Sequence, residues 1–286
     1  MEQIEVLEKT GLNWSVRKEE LTTKSGIIVP NKVALVRDDT NEILSVMGDG
    51  YQEYQNSELL ELLYRINQST GLDVCNGGDF GGGQKVWFQF KTNDLRLGDD
   101  KVEGYVTGCN SYDGSSSLAF GHSTFTISCL NSFFSANKQL DSKIRHSANL
   151  KPRVEKILCG IDQLLLEEKK TFETIKLLSE TPMKENLKDM IIATVFDLPE
   201  VKDAKELSTR KKNQIELFEL DWNKEINQKN STLWGCLSSV TRFTTHSINK
   251  NQDRRRELKM FGRSGDIDRA VWKKVTAQLP MSAMTY

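Results

Sequence analysis

Three histidines and five cysteines are the first places to look for chemistry in this 286-residue chain. His122, His146 and His246 stand far apart, with no H-E-x-x-H or comparable ligand spacing, so no metal site is indicated and none is expected. Cys75, Cys109, Cys129, Cys159 and Cys236 are odd in number and contain no C-x-x-C pair, which argues against a zinc ribbon or a disulfide framework. Reduced thiols packed as small apolar residues are the expectation. Carboxylates are plentiful but read as scattered, without the D-x-D or paired acidic signature of a two-metal nuclease. No catalytic residue, and no enzyme, is read from the chain.

Two stretches could bind phosphate through the backbone. Gly77-Gly78-Asp79-Phe80-Gly81-Gly82-Gly83 lacks the G-K-[ST] ending of a P-loop and leads into a strand instead of a helix, so it reads as a flexible hairpin loop and no nucleotide cofactor is expected. Ser111-Tyr112-Asp113-Gly114-Ser115-Ser116-Ser117 joins a tight turn to a row of hydroxyls. Exposed amides in such a turn, beside Ser115 and Ser116, could receive phosphate oxygens, although a well-made hairpin turn explains the same residues. It does not match a nucleophile elbow.

Charge supplies the next signal. The formal net charge is -1, yet residues 205–275 hold 16 Lys and Arg against 9 Asp and Glu, and the remainder holds 23 against 31. Between Lys143 and Lys156 five basic residues, Lys143, Arg145, Lys151, Arg153 and Lys156, face only Glu155, and Arg254-Arg255-Arg256 forms a solid triplet. Such clusters attract polyanions by counterion release, while a solvated helical face is the plainer reading. Aromatic residues add stacking platforms for bases: Trp87, Phe88 and Phe90 alternate between Lys85 and Lys91, with Phe88 and Phe90 on one face and Trp87 and Gln89 on the other.

The elements that must position these residues follow from periodicity. Residues 27–36 and 42–47 are β-branched and apolar around Asp38-Asp39-Thr40-Asn41, which predicts a hairpin. Ser57 is placed as the N-cap of a short helix through Leu59, Leu60, Leu62, Leu63 and Ile66, stopped by Gly71. Residues 73–75 and 85–91 read as strands, and Gly104–Ser111 pairs with Ser115–Ile127 around Asp113-Gly114. From Pro152 the period becomes 3.6, and Val154, Ile157, Leu158, Ile161, Leu164, Leu165, Phe172, Ile175 and Leu178 predict one long helix. Further helices are predicted over 182–196, 204–227 and 233–246. Strands first and helices afterwards give an α+β fold, divided into a core of residues 1–204 with hairpins and a long helix, and a basic helical region of residues 205–286. The start Met1-Glu2-Gln3-Ile4-Glu5 is unlike a signal peptide, and no run of apolar residues reaches membrane-spanning length, so a cytoplasmic location in a bacterial cell, away from membranes, is expected.

Several of these residues recur as an ordered set. Ser111-Tyr112-Asp113-Gly114-Ser115-Ser116, Cys129-Leu130-Asn131, Ile144-Arg145-His146 and Trp234-Gly235-Cys236-Leu237-Ser238-Ser239-Val240-Thr241, followed by His246 and Arg254-Arg255-Arg256, resemble the S-x-D-G-S-S, C-x-N, I-R-H and W-G-x-x-x-x-V-T motifs of a phage- and plasmid-related family long labelled a domain of unknown function. The general plan is more remotely similar to the Rad-fifty-two-like single-strand annealing proteins, among them RecT, Red beta and ERF-type recombinases. That resemblance implies ATP-independent binding and annealing of single-stranded DNA by a homo-oligomeric ring or filament. Its contact residues would be Lys85, Trp87, Lys91, Ser115, Ser116, Lys143, Arg145, His146, Lys151, Arg153, Lys156, Arg254, Arg255 and Arg256. The alternatives are an accessory protein that contacts a host or phage protein and, third, a metal-dependent enzyme acting on nucleic acid.

Overall fold

The computed structural model describes residues 2–70, 74–98, 100–126, 131–135, 143–158, 161–198 and 207–280. Gly71, Cys129, Cys159 and the side chains of Cys75 and Lys143 lie outside the described residues. Among those described, two β-sheets fall in the first half of the chain and helices dominate the second, an α+β fold. No described helix is long and apolar enough to cross a membrane.

After helix α1 (Gln3–Thr10), strands β1 (Val16–Thr22), β2 (Ile28–Arg37) and β3 (Ile43–Gly48) form an antiparallel sheet in that order. The predicted hairpin is β2–β3, with Val33 opposite Met47 and Leu35 opposite Ser45. Helix α2 (Asn56–Thr70) begins one residue before Ser57, and the Gln55 amide donates to Glu58 Oε2 at 2.9 Å. Asn56, which is buried, uses its side-chain amide on the carbonyls of Leu12 and Trp14. The cap function therefore falls on Glu58 reaching back, and not on Ser57.

The second sheet runs β4 (Val74–Phe80), β5 (Lys85–Leu97), β6 (Asp100–Ser111), β7 (Leu118–Thr126) and β8 (Asn131–Ser135), with β9 (Lys143–Ile144) also paired to β7. Along β5, Val86, Phe88 and Phe90 are fully buried, as the alternation predicts, and each phenyl ring contributes about 2 kcal/mol of burial. Gly77 and Gly78 are not loop residues; they sit inside β4 opposite Phe88 and Trp87. A side chain at Gly77 would collide with the Phe88 ring at 2.7 Å. The turn itself is Gly81-Gly82-Gly83, all at positive φ, with Gly83 against the Trp14 indole and the Gly82 carbonyl accepting from Arg37 at 3.0 Å. Packing on both sides makes it a fitted turn instead of the flexible loop read from its composition.

The long stripe predicted from Pro152 is divided between α3 (Leu150–Leu158) and α4 (Ile161–Glu180). Helices α5 (Leu187–Phe196), α6 (Thr209–Gln228), α7 (Leu233–Arg242), α8 (Gln252–Phe261) and α9 (Arg263–Thr276) follow, and α7 continues into a π-helical turn, Phe243–Ser247.

The chain forms two compact units: residues 1–93, 104–123 and 136–166, and residues 94–103, 124–135 and 167–286. The first has a core around Leu59, Leu63, Phe88, Phe90, Tyr112 and Phe120. The second packs Phe196, Phe218, Trp222, Val240, Phe243 and Val271, with the Phe218 and Phe243 rings edge-on at 5.5 Å. The basic stretch after Lys205 belongs to this second unit.

Candidate nucleic-acid interface

The pairing of β9 with β7 is the decisive piece of geometry in the first unit. Leu118 lies opposite Ile144 and Ala119 opposite Lys143. The chain leading from β7 back to the serine turn and the chain leading from β9 to Arg145 and His146 therefore start side by side. Two motifs separated by some 30 residues in sequence are neighbours in space.

The serine turn is internally tied. Asp113 accepts from Ser111 Oγ at 2.6 Å and from the Ser115 amide at 2.9 Å, and it pairs with Lys85 Nζ at 3.1 Å. Burial pushes its carboxyl upward, and the hydrogen bonds from Ser111, Ser115 and Lys85 outweigh that, holding it below the usual carboxylate range. The Ser116 amide is directed at Ser111 Oγ, 3.4 Å away. Both amides that could have cradled a phosphate are thus engaged inside the turn. What remains outward is the hydroxyl of the exposed Ser115; Ser116 is half-buried and directs its hydroxyl at the Ser117 carbonyl, 3.4 Å away. Below the turn, Tyr112 donates to the Tyr54 carbonyl at 2.8 Å, and Asn110 donates to the same carbonyl at 2.7 Å. Tyr112 and its neighbour Asn110 hold the fold and do not face a ligand.

His146 stacks on Tyr51, with centroids 4.7 Å apart and planes 13° from parallel, while the Tyr51 hydroxyl donates to the Ser111 carbonyl at 2.7 Å. The Nδ1 of His146 lies 2.7 Å from the Gln52 carbonyl; a carbonyl only accepts, so Nδ1 carries the proton. The Nε2 is buried and has no hydrogen-bond partner among the described residues. Burial outweighs the Gln52 bond and lowers the pKa of the ring, which favours neutral imidazole.

Helix α3 sorts its cations by face. Lys151, though its side chain is 75% exposed, pairs with Glu58 at 2.8 Å, and Arg65 on α2 takes Glu155 in a fork with both bonds at 2.7 Å. Arg145 and Lys156 are exposed and Arg153 half-buried, and none of the three has a hydrogen bond or ion pair to another described side chain. On β5, Lys85 is committed to Asp113 and Lys91 is also engaged. Trp87 is half-buried over Gly78, on the face opposite Phe88.

In the second unit the arginine triplet separates into different roles. Arg254 pairs with Glu257 at 2.5 Å. Arg255 donates to the carbonyls of Thr245, Asn249 and Lys250, fastening the end of the π-helical turn, and Arg256 is exposed. Two charge clusters here escape sequence reading. Lys259 and Asp268, both buried, meet at 2.5 Å and share Thr244, whose hydroxyl donates to Asp268 at 2.8 Å. Asp221 holds Arg242 at 2.9 Å and Ser247 at 2.5 Å. Asp266-Ile267-Asp268 is a D-x-D after all, a correction to the reading of scattered acids; yet Asp268 is locked into its lysine pair and Asp266 into Arg269. Among the described residues no three His, Cys, Asp or Glu side chains gather as a metal site. Cys109 and Cys236 are buried free thiols; burial raises both, the latter to about 12.

A family model described as a domain of unknown function, DUF932, matches residues 43–272. The chain belongs to the DUF932 family. The match begins at β3 and ends within α9, so it takes in the serine turn, the I-R-H element and the second unit's helices. No curated protein and no solved structure matches the chain.

Proposed function

We propose that this DUF932 protein binds single-stranded nucleic acid through the first unit and anneals complementary strands without a nucleotide cofactor, as a homo-oligomer. The observation that supports this most is the set of three cations, Arg145 next to β9 and Arg153 and Lys156 on α3, with no ion pair or side-chain hydrogen bond to another described residue. By contrast, Lys151 on α3 is paired with Glu58 and Lys85 on β5 with Asp113. Phosphates would be met by Arg145, Arg153 and Lys156, with Ser115 as a hydroxyl donor.

Anisotropy of a labelled single strand over a salt series tests this. Because Arg145→Ala/Arg153→Ala/Lys156→Ala leaves three phosphates without a cation, it lowers the slope of log K against log salt by about 2. Binding that is unchanged by salt sinks the assignment. Strand annealing in the absence of nucleotide is the companion assay.

A reading based on protein contact is favoured by one different observation. Ile43 and Val46, both on β3, are each more than half exposed, and exposed apolar side chains of this kind dock a partner. Capture of one stoichiometric protein, lost on Ile43→Ser/Val46→Ser, with no DNA binding, would favour it.

A further inference from the structure

Helix α9 divides cleanly into two faces. Ser264, Ile267, Asp268, Val271 and Val275 are buried, whereas Arg263, Asp266, Ala270, Lys273, Lys274 and Ala277 are all exposed. With 3.6 residues per turn, Arg263, Ala270, Lys274 and Ala277 run along one line, and Lys273 and Asp266 lie beside it. The single acid on this face is already bound by Arg269 at 2.6 Å. Arg263, Lys273 and Lys274 have no hydrogen bond or ion pair to another described side chain. Ala270, between Arg263 and Lys274, presents nothing that would hold a nucleic-acid backbone away.

The face is also rigidly supported. A Cβ on Gly265 would strike the Lys259 carbonyl, so α8 and α9 approach each other as closely as glycine permits. The buried Lys259–Asp268 pair joins the same two helices. Cations displayed on a fixed helix lose less entropy on binding than cations on a loop.

We propose that the exposed face of α9 is a second phosphate-contacting surface, in which Arg263, Lys273 and Lys274 bind the backbone of single-stranded nucleic acid. The inference rests on the single-strand reading above. It goes beyond the arginine triplet, of which Arg254 and Arg255 have structural partners.

The test uses the full chain and a labelled single-stranded oligonucleotide, comparing wild type, Arg263→Gln/Lys273→Gln/Lys274→Gln, a charge-keeping Arg263→Lys/Lys273→Arg/Lys274→Arg variant, and the first-unit triple alanine variant. Each backbone contact is worth about 5-fold at 0.1 M salt, so the glutamine variant should bind on the order of 100-fold more weakly, with a salt slope smaller by about 2. The charge-keeping variant should restore both, and unchanged thermal melting of the glutamine variant excludes misfolding. If the first-unit variant loses affinity while the glutamine variant matches wild type, the α9 surface is refuted and the single-strand reading stands. If wild type binds no oligonucleotide, both fall.

Discussion

Removing one member of the buried Lys259–Asp268 pair should be among the most damaging single changes in the second unit. Asp268 is fully buried and Lys259 is 4% exposed. In Asp268→Ala the ammonium keeps only the Thr244 hydroxyl at 2.6 Å and the Thr241 carbonyl at 3.5 Å. A buried charge stripped of its partner costs about 3 to 5 kcal/mol. Lys259→Met leaves the carboxylate with Thr244 alone and should cost a similar amount. Replacing both, as Lys259→Met/Asp268→Leu, removes the two desolvation penalties together. The double variant should therefore be more stable than the sum of the singles implies, by at least about 2 kcal/mol in a double-mutant cycle. Urea denaturation followed by circular dichroism measures this, provided that each variant shows a single transition with an unchanged slope. Single substitutions costing less than about 1 kcal/mol each, with an additive double, would refute the claim that these groups are a desolvated, mutually dependent pair.

Other consequences follow from the same packing. His146 has its folded pKa lowered by burial, so the unfolded chain takes up the proton first: stability is present above about pH 6.5 and is lost as pH falls through the folded value. The urea midpoint of wild type should then drop more between pH 7 and 5 than that of His146→Asn, and equal drops would contradict the placement. Gly83→Ala, at φ +102 and against Trp14, should destabilise by well over 1 kcal/mol, whereas Gly82→Ala, at φ +66 with nothing within 4 Å, should cost about 1 kcal/mol in thermal or urea melts. The Arg65–Glu155 fork is solvated on both sides, so a double-mutant cycle in urea melts should show little coupling despite its geometry, and a strong coupling would contradict that.

Where local rules decide structure, the sequence was readable. The β2–β3 hairpin and β5 announce themselves by alternation, and Gly114 adopts the positive φ, +69, that its Asp-Gly turn calls for. Where the pairing of distant residues decides, it was not. Gly77 and Gly78 look like loop until Phe88 and Trp87 are opposite them in the register. The two-residue strand β9 has no periodicity, yet it carries Arg145 and His146 to the serine turn. The apolar residues from Val154 to Leu178 are shared between α3 and α4, and spacing alone read them as a single helix. Helix α8 offers almost no apolar stripe because its inward residue is a lysine paired with Asp268. In the candidate interface the cationic residues were legible as types, but their pairing was not. Lys85, Lys151 and Arg255 are neutralised or capped by groups that the fold brings to them, and only the folded arrangement separates them from Arg145, Arg153 and Lys156.

The most direct test of the central claim is the salt dependence of single-strand binding by wild type and by Arg145→Ala/Arg153→Ala/Lys156→Ala. A steep slope that falls by about 2 in the variant is the result predicted. A wild-type affinity indifferent to salt, or a variant that binds as wild type does, would contradict it.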